Sequence, residues 1–199
     1  MVYCGEVLEK QVGLIRTYIS LGPSSTNMQT LTEIFRDPSL DIHGKADHRT
    51  AVRAVVIRKK KLLMVYSPVN GDYKFPGGGV DRSENHETAL KREVSEECGM
   101  KVIRILREIG CIVEYAIPMK TEFDVFKMTS SYYLCEVDAT IKEQRLDRYE
   151  AELGFQPVWI DIDAAIQTNK TVLKTKMKKP PKWTAREVFM LEFIRENLL

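Results

Sequence analysis

The stretch GGVDRSENHETALKREVSEECGM, residues 78–100, decides how this chain folds. It starts in a run of glycines and continues as a helical pattern with three carboxylates, Glu93, Glu96 and Glu97, inside five residues. Each pair of like charges one turn apart on a helix costs roughly 0.2–0.5 kcal/mol. The chemistry of the stretch therefore depends on what compensates these three acids.

The helix is expected over residues 86–98, because Asn85 is a suitable N-cap and Gly99 lies just past the end. At about 100° per residue, the three acids lie on an arc of about 100° that borders the apolar stripe of the helix. A solvated acidic face is the alternative, but such faces usually mix charges of both signs. A carboxylate cluster beside the core is typical of a site for Mg²⁺, which prefers oxygen ligands, with Mn²⁺ as a possible substitute.

Three consecutive glycines, Gly77, Gly78 and Gly79, precede this helix where a strand is expected to end. Glycine permits positive φ and lets the backbone approach a ligand closely. A glycine run alone is weak evidence, because turns often contain one. A glycine turn that leads into an acid-rich helix is stronger evidence, and we expect the two to form one binding site.

Outward from this stretch, apolar and alternating segments predict an α/β fold in which helices cover both faces of a mixed sheet. Helices are expected in three places: in the N-terminal region, in a segment that begins at Asp163, and after residue 183. The expected strands are AVRAVVI (51–57), LLMVY (62–66), VIRIL (102–106), IGCIVEY (109–115), SSYYLCEV (130–137) and PVWIDI (157–162), and AIPMKTEFDVFKMTS (116–130) is expected to be a loop or hairpin.

The pattern divides the chain into three parts. Residues 1–45 are expected to be a helical extension, residues 46–170 the central domain, and residues 171–199 a basic linker and a C-terminal helix. Thr184 and Glu187 have the T-x-x-E spacing of a capping box that would open this last helix.

Composition places the chain among globular domains, since 44% of its residues are hydrophobic and 29% are charged. No apolar run is long enough for a membrane helix, and no secretory signal is visible. The four cysteines lack C-x-x-C spacing and are expected to be reduced, which favours the cytoplasm. The net charge of +2 argues neither for nor against a nucleic acid partner, and a small-molecule partner is expected instead of a nucleic acid.

The same stretch resembles the Nudix box, G-x5-E-x7-R-E-U-x-E-E-x-G-U, without departure. The matching residues are Gly78, Glu84, Arg92, Glu93, Val94, Glu96, Glu97, Gly99 and Met100. The resemblance to Nudix hydrolases extends over about residues 49–169 and implies an α/β/α sandwich with a mixed sheet, to which N- and C-terminal helices are appended.

The resemblance implies a role for each box residue. In Nudix enzymes the box binds a divalent cation and the diphosphate of the substrate, with Glu93 and Glu97 as the primary ligands and Glu96 as a ligand directly or through water. The carbonyl of Gly78 would complete the metal site, and Arg92 would orient the carboxylates. The glycine turn, residues 77–79, would lie against the phosphates.

Two roles, that of the general base and that of Arg53, leave alternatives open. The general base is either Glu93 or its neighbour, or a glutamate of a later loop, Glu150 or Glu152, of which Glu152 is favoured. Arg53 is the one charge within AVRAVVI, and it pairs either with a substrate phosphate or with a structural carboxylate.

These expectations describe a Mg²⁺-dependent hydrolase that cleaves the diphosphate linkage of a nucleoside diphosphate derivative. Nucleoside triphosphates, including oxidised ones, nucleotide sugars such as ADP-ribose, and dinucleoside polyphosphates remain open as small-molecule substrates. The alternative is a Nudix-fold module that senses a nucleotide without cleaving it. A homodimer is possible.

Overall fold

The computed structural model describes residues 14–17, 28–138, 140, 142–175 and 180–199 of the chain. The strands of these residues are β1 (Leu14–Thr17), β2 (Thr30–Phe35), β3 (Ala46–Val55), β4 (Ile57–Arg58), β5 (Lys61–Ser67), β6 (Asp72–Lys74), β7 (Val102–Ala116), β8 (Val125–Val137) and β9 (Gln156–Asp161). The helices are α1 (His86–Cys98), α2 (Arg148–Glu152), α3 (Ile162–Thr175) and α4 (Thr184–Asn197).

The strands form two sheets. The first has the order β1-β2-β7-β8-β3 and is mixed, because β2 runs parallel to β7 and β3 runs parallel to β8. In the second sheet β5 pairs antiparallel with β4, β6 and β9. Val56 alone separates β3 from β4, so the chain passes directly from one sheet into the other.

Two apolar clusters lie on opposite sides of the sheets, which confirms the predicted α/β/α arrangement. On one side α1 buries Ala89, Leu90, Val94 and Cys98 against strand residues such as Val52 and Leu63. On the other side α3 and α4 together bury Ile162, Ala165, Ile166, Met190, Leu191 and Ile194. Each fully buried side chain of the size of leucine or isoleucine contributes about 1.5–3 kcal/mol to the free energy of unfolding.

The helical extension expected over residues 1–45 is wrong within MQTLTEIFRD (residues 28–37), because residues 30–35 form β2 of the first sheet. The spacing of Met28, Leu31 and Phe35 fits a helical stripe, but Thr30, Thr32 and Ile34 are β-branched and favour a strand. Parallel pairing with β7 decides the outcome. In the upstream part of this extension, residues 14–17 are strand β1, and residues 1–13 and 18–27 lie outside the described residues.

Several other boundaries differ from the expected ones. The two strands expected at 102–106 and 109–115 are one strand, β7, and the segment that follows is the β7–β8 hairpin. The predicted C-terminal helix is present as α4, but its N-cap is Trp183, which makes no side-chain cap. The expected capping box is therefore wrong. Because α4 shares a cluster with α3, it is part of the core rather than an appendage.

Among the described residues, none of the helices is both long enough and apolar enough to cross a membrane.

Candidate active site

Helix α1 has the predicted limits. The Asn85 side chain accepts a hydrogen bond from Thr88 N at 2.8 Å, and Gly99 ends the helix in the left-handed conformation with φ 64°. These caps fix the register of α1, so that Glu93 and Glu97 face the glycine turn while Leu90 and Val94 enter the core.

Three glutamates meet beside this turn. Glu93 and Glu97 are on α1, with 8% and 0% of their surface exposed, and the half-buried Glu150 is on α2. One carboxylate oxygen from each residue lies within 4.8 Å of the other two. Three oxygen ligands at this spacing fit a hard divalent cation such as Mg²⁺.

Glu97 is held on both of its oxygens. Its Oε1 accepts a hydrogen bond from Lys74 Nζ, and its Oε2 accepts one from Gly77 N at 2.8 Å. The Lys74 ammonium also lies 4.6 Å from the centre of the Phe155 ring. A fully buried carboxylate needs such partners, and here they join α1 to the glycine turn.

Arg92 is the centre of a hydrogen-bond network on the same helix. Its Nε and Nη2 donate to the two oxygens of Glu84 at 2.7 and 2.8 Å, and Nη2 also donates to Gly79 O at 3.1 Å. Its Nη1 donates to Glu93 at 2.8 Å and to Glu96 at 3.1 Å. Arg92 therefore orients Glu93 and ties the loop before α1 to the helix.

The glycine turn lies too close to its neighbours for side chains. Gly77 has φ 136°, and a Cβ there would lie 2.1 Å from Val52 O. A Cβ on Gly78 would lie 2.4 Å from Glu93 Oε2, so this residue packs directly against the cluster. Gly78 O accepts a hydrogen bond from Val52 N at 3.0 Å, and a carbonyl oxygen has two lone pairs.

Arg53 contacts the backbone of the glycine turn. It is 8% exposed and donates from Nη1 to Gly77 O, while its Nε has no hydrogen-bond partner among the described residues. The observed partner is a backbone carbonyl rather than a structural carboxylate, and pairing with a substrate phosphate stays a prediction.

Burial and close spacing shift pKa values within the carboxylate cluster. Burial, followed by the charge of Glu97, raises the pKa of Glu93. Burial also raises the pKa of Glu150 to about 7. By contrast, hydrogen bonds from Arg92 lower the pKa of Glu84 to about 2. The negative charge of Glu93 and Glu150 is therefore incompletely compensated, whereas that of Glu84 is compensated by Arg92.

Glu96 and Glu152 are not members of the three-carboxylate cluster, and the metal-ligand role expected of Glu96 stays a prediction. Glu96 is bonded to Arg92 at the edge of the site. Glu152, the favoured base, is 61% exposed in its side chain and pairs with Arg148 at 2.9 Å. Glu150 is the α2 glutamate that meets Glu93 and Glu97, whereas Glu152 is not among the clustered acids.

Lys74 is a site residue that the sequence analysis did not identify. It lies at the end of β6, three residues before Gly77. The signal in the sequence was a lysine three residues before a glycine turn, in a chain with an acid cluster to neutralise.

Comparison with known proteins places this geometry in a family. The NUDIX domain family matches residues 47–184. An RNA pyrophosphohydrolase of a Nitratiruptor species is 30% identical over 121 residues, which are 53% of this chain and 78% of that protein. An 8-oxo-dGTP diphosphatase of Buchnera aphidicola subsp. Schizaphis graminum is 36% identical over 76 residues, 36% of this chain and 58% of that protein.

Other matches are shorter or structural. An RNA pyrophosphohydrolase of Pelagibacter ubique is 32% identical over 35% of this chain, and the match spans 46% of its own length. A solved NUDIX hydrolase from Nitrosomonas europaea has 18% identity and a TM-score of 0.47, over 68% of this chain and 94% of that chain.

The family match covers the glycine turn, α1, α2 and the start of α4, so every residue of the carboxylate cluster lies within it. The predicted family and enzyme class, a Nudix pyrophosphohydrolase, are confirmed by these matches. The chain belongs to the NUDIX domain family.

Proposed function

We propose that this protein is a Mg²⁺-dependent hydrolase that cleaves a phosphoanhydride bond in a nucleotide substrate. The observation that carries the proposal is the meeting of Glu93, Glu97 and Glu150 within 4.8 Å beside a glycine turn. Three crowded, largely buried acids need a counter-charge, and a divalent cation supplies it.

Each residue then has a role. Glu93 and Glu97 would hold the cation, and the carbonyl of Gly78 would supply a further oxygen ligand. When bound, the cation would neutralise phosphate oxygens and lower the pKa of an attacking water. Arg92 keeps the Glu93 carboxylate oriented, and Lys74 and Gly77 N keep Glu97 in place.

Glu150 is the candidate general base. It comes from α2, so it approaches the cluster from a different element than the two α1 acids. Its backbone position is fixed by a capping box with Asp147, in which Asp147 N donates to Glu150 Oε2 at 3.0 Å. The other oxygen is available to accept a proton from water.

The names of the relatives favour a triphosphate substrate, either a free nucleoside triphosphate or the triphosphate of an RNA end.

Buried, free thiols at Cys98, Cys111 and Cys135 support the predicted reducing, cytoplasmic location.

A substrate panel with Mg²⁺ tests the proposal. The panel contains nucleoside triphosphates, 8-oxo-dGTP, ADP-ribose and a 5′-triphosphorylated RNA oligonucleotide, and it compares wild type with Glu97→Gln. We expect wild-type turnover of a triphosphate and a loss of at least about a hundredfold in the variant.

Glu87→Gln is the matched control, because Glu87 is on the same helix but is exposed and pairs only with Lys91 among the described residues. It should retain wild-type rates. Nucleotide binding without any turnover by the wild type would instead identify a sensor, and equal rates in wild type and Glu97→Gln would remove the cluster from the chemistry.

A further inference from the structure

The first turn of α4 contacts the strand that leads into the glycine turn. Thr184 Oγ1 donates to Asp72 Oδ2 at 2.7 Å, at the start of β6. Phe75 N, directly after β6, donates to Glu187 Oε2 at 2.9 Å. Both α4 residues are fully buried, so these hydrogen bonds form without competition from water. Helix α4 therefore fixes both ends of the short strand β6.

Arg186 compensates the buried charge of Glu187. Its Nε and Nη2 donate to Glu187 Oε1 at 3.0 and 2.6 Å, and its Nη1 donates to Glu114 Oε2 at 2.7 Å. Burial alone would lower the pKa of Arg186, but Glu114 and Glu187 raise it overall. The charged Arg186 side chain, bonded to both Glu114 and Glu187, therefore restrains the Glu187 carboxylate.

Two carboxylates from opposite helix layers thus hold the same short segment. Glu187 of α4 accepts the hydrogen bond of Phe75 N, and Glu97 of α1 accepts that of Gly77 N at 2.8 Å. Only Pro76, which has no N–H to offer, lies between the two donors. Arg53 holds the carbonyl of Gly77. The conformation of the turn is therefore determined from both sides of the sheet.

We propose that Glu187 is a positioning residue of the active site, which holds the Phe75–Gly77 backbone so that the turn amide and Glu97 keep their geometry toward cation and diphosphate. Glu187 does not contact the clustered acids, and it acts through Phe75. The inference rests on the proposed function, and it extends the working site to a helix whose residues after 184 lie beyond the family match.

Glu187→Gln tests this role with little change in shape. Both oxygens of Glu187 are acceptors here, Oε1 for Arg186 and Oε2 for Phe75 N. Glutamine has a single acceptor oxygen, so one of the two donors loses its partner. The matched control is Glu192→Gln, because Glu192 is on the same helix but forms a partly exposed pair with Lys170.

The readouts must separate positioning from simple stability. They are hydrogen exchange of the Gly77 amide, the Mg²⁺ concentration for half-maximal activity, kcat, and the urea midpoint. In folded Glu187→Gln, we expect faster exchange at Gly77, a higher Mg²⁺ requirement and a kcat at least about tenfold lower, as for residues that orient metal ligands. Glu192→Gln should match wild type in all four.

A folded Glu187→Gln with wild-type Gly77 exchange, Mg²⁺ requirement and kcat would overturn the proposal, even if its urea midpoint were lower. If that variant does not fold, the same measurements are made on Arg186→Lys. This variant keeps the positive charge but loses the planar guanidinium that binds Glu187. It is expected to change them in the same direction, and wild-type values in it would equally overturn the proposal.

Glu97→Gln in the same assays separates this inference from the proposed function. If Glu97→Gln is inactive and Glu187→Gln is indistinguishable from wild type, only the positioning role fails. If Glu97→Gln retains wild-type activity, the proposed function itself fails.

Discussion

Arg92 binds Glu84 through two parallel hydrogen bonds, from Nε to Oε1 at 2.7 Å and from Nη2 to Oε2 at 2.8 Å. The remaining donor, Nη1, reaches Glu93, one of the clustered acids. A guanidinium is needed to do both, because its planar fork fixes the direction of each N–H. The pair connects the loop before α1 to the orientation of a proposed metal ligand.

Arg92→Lys should therefore impair the enzyme although the charge is kept. A lysine cannot bind both oxygens of Glu84 and reach Glu93, so we expect kcat/KM to fall about 10–100-fold, the range for residues that orient metal ligands. Steady-state kinetics over a Mg²⁺ titration measures this. Arg148→Lys is the control, since Arg148 is 94% exposed in its side chain and should be replaceable without effect. Equal kcat/KM in Arg92→Lys and wild type would exclude the orienting role.

Glu150 and Glu152 are two residues apart, and the structure gives them different surroundings. Glu150→Gln should lower kcat by about 10²–10⁴-fold, as expected for a lost general base, while glutamine preserves the capping box. Glu152→Gln should leave kcat unchanged, because its side chain pairs with Arg148 on the surface. Single-turnover rates at saturating Mg²⁺ distinguish them. The reverse ranking would restore Glu152 as the base.

The Glu84–Arg92 pair should give stability a defined pH dependence. The pKa of Glu84 is about 2 in the folded protein, below its ordinary value of 4.5, so its carboxylate binds fewer protons folded than unfolded. Its contribution is therefore complete above about pH 4.5 and is lost as the pH falls toward 2. Urea unfolding should show wild type more stable than Glu84→Gln at pH 7, with the difference shrinking at pH 3. A difference that does not change with pH would contradict this pairing.

Gly77 and Gly71 both have positive φ, but only Gly77 is also crowded. A Cβ on Gly71 would meet its nearest atom, of Val172, at 3.9 Å, whereas a Cβ on Gly77 would lie 2.1 Å from Val52 O. Gly71→Ala should cost about 1–2 kcal/mol from backbone conformation alone. Gly77→Ala should cost clearly more, since the carbonyl it meets belongs to β3. Chemical denaturation of both variants measures this, and equal losses would mean that the turn can move away from β3.

Local signals in the sequence were sufficient for α1 and the family. Asn85 and Gly99 act on residues within one turn of themselves, and the box acids follow from the same helix, so spacing alone placed them. Non-local contacts decided what the sequence missed. β2 is a strand because β7 is available for parallel pairing, and no feature of MQTLTEIFRD reveals that partner.

Non-local contacts also explain why the roles of individual residues were not predicted from the sequence. Thr184 and Glu187 have capping-box spacing, yet their side chains bind Asp72 and Phe75, each 112 residues away in sequence. Glu150 and Glu152 are equally acidic in sequence, and only the direction of α2 places Glu150 at the cluster.

The most direct test of the account is a calorimetric titration of the protein with Mg²⁺, repeated with Mn²⁺. Wild type and Glu87→Gln should each bind the cation, and the double variant Glu93→Gln/Glu97→Gln, folded by circular dichroism, should not. Binding of equal strength in the double variant, or none in the wild type with either ion, would contradict the claim that these buried carboxylates form a cation site.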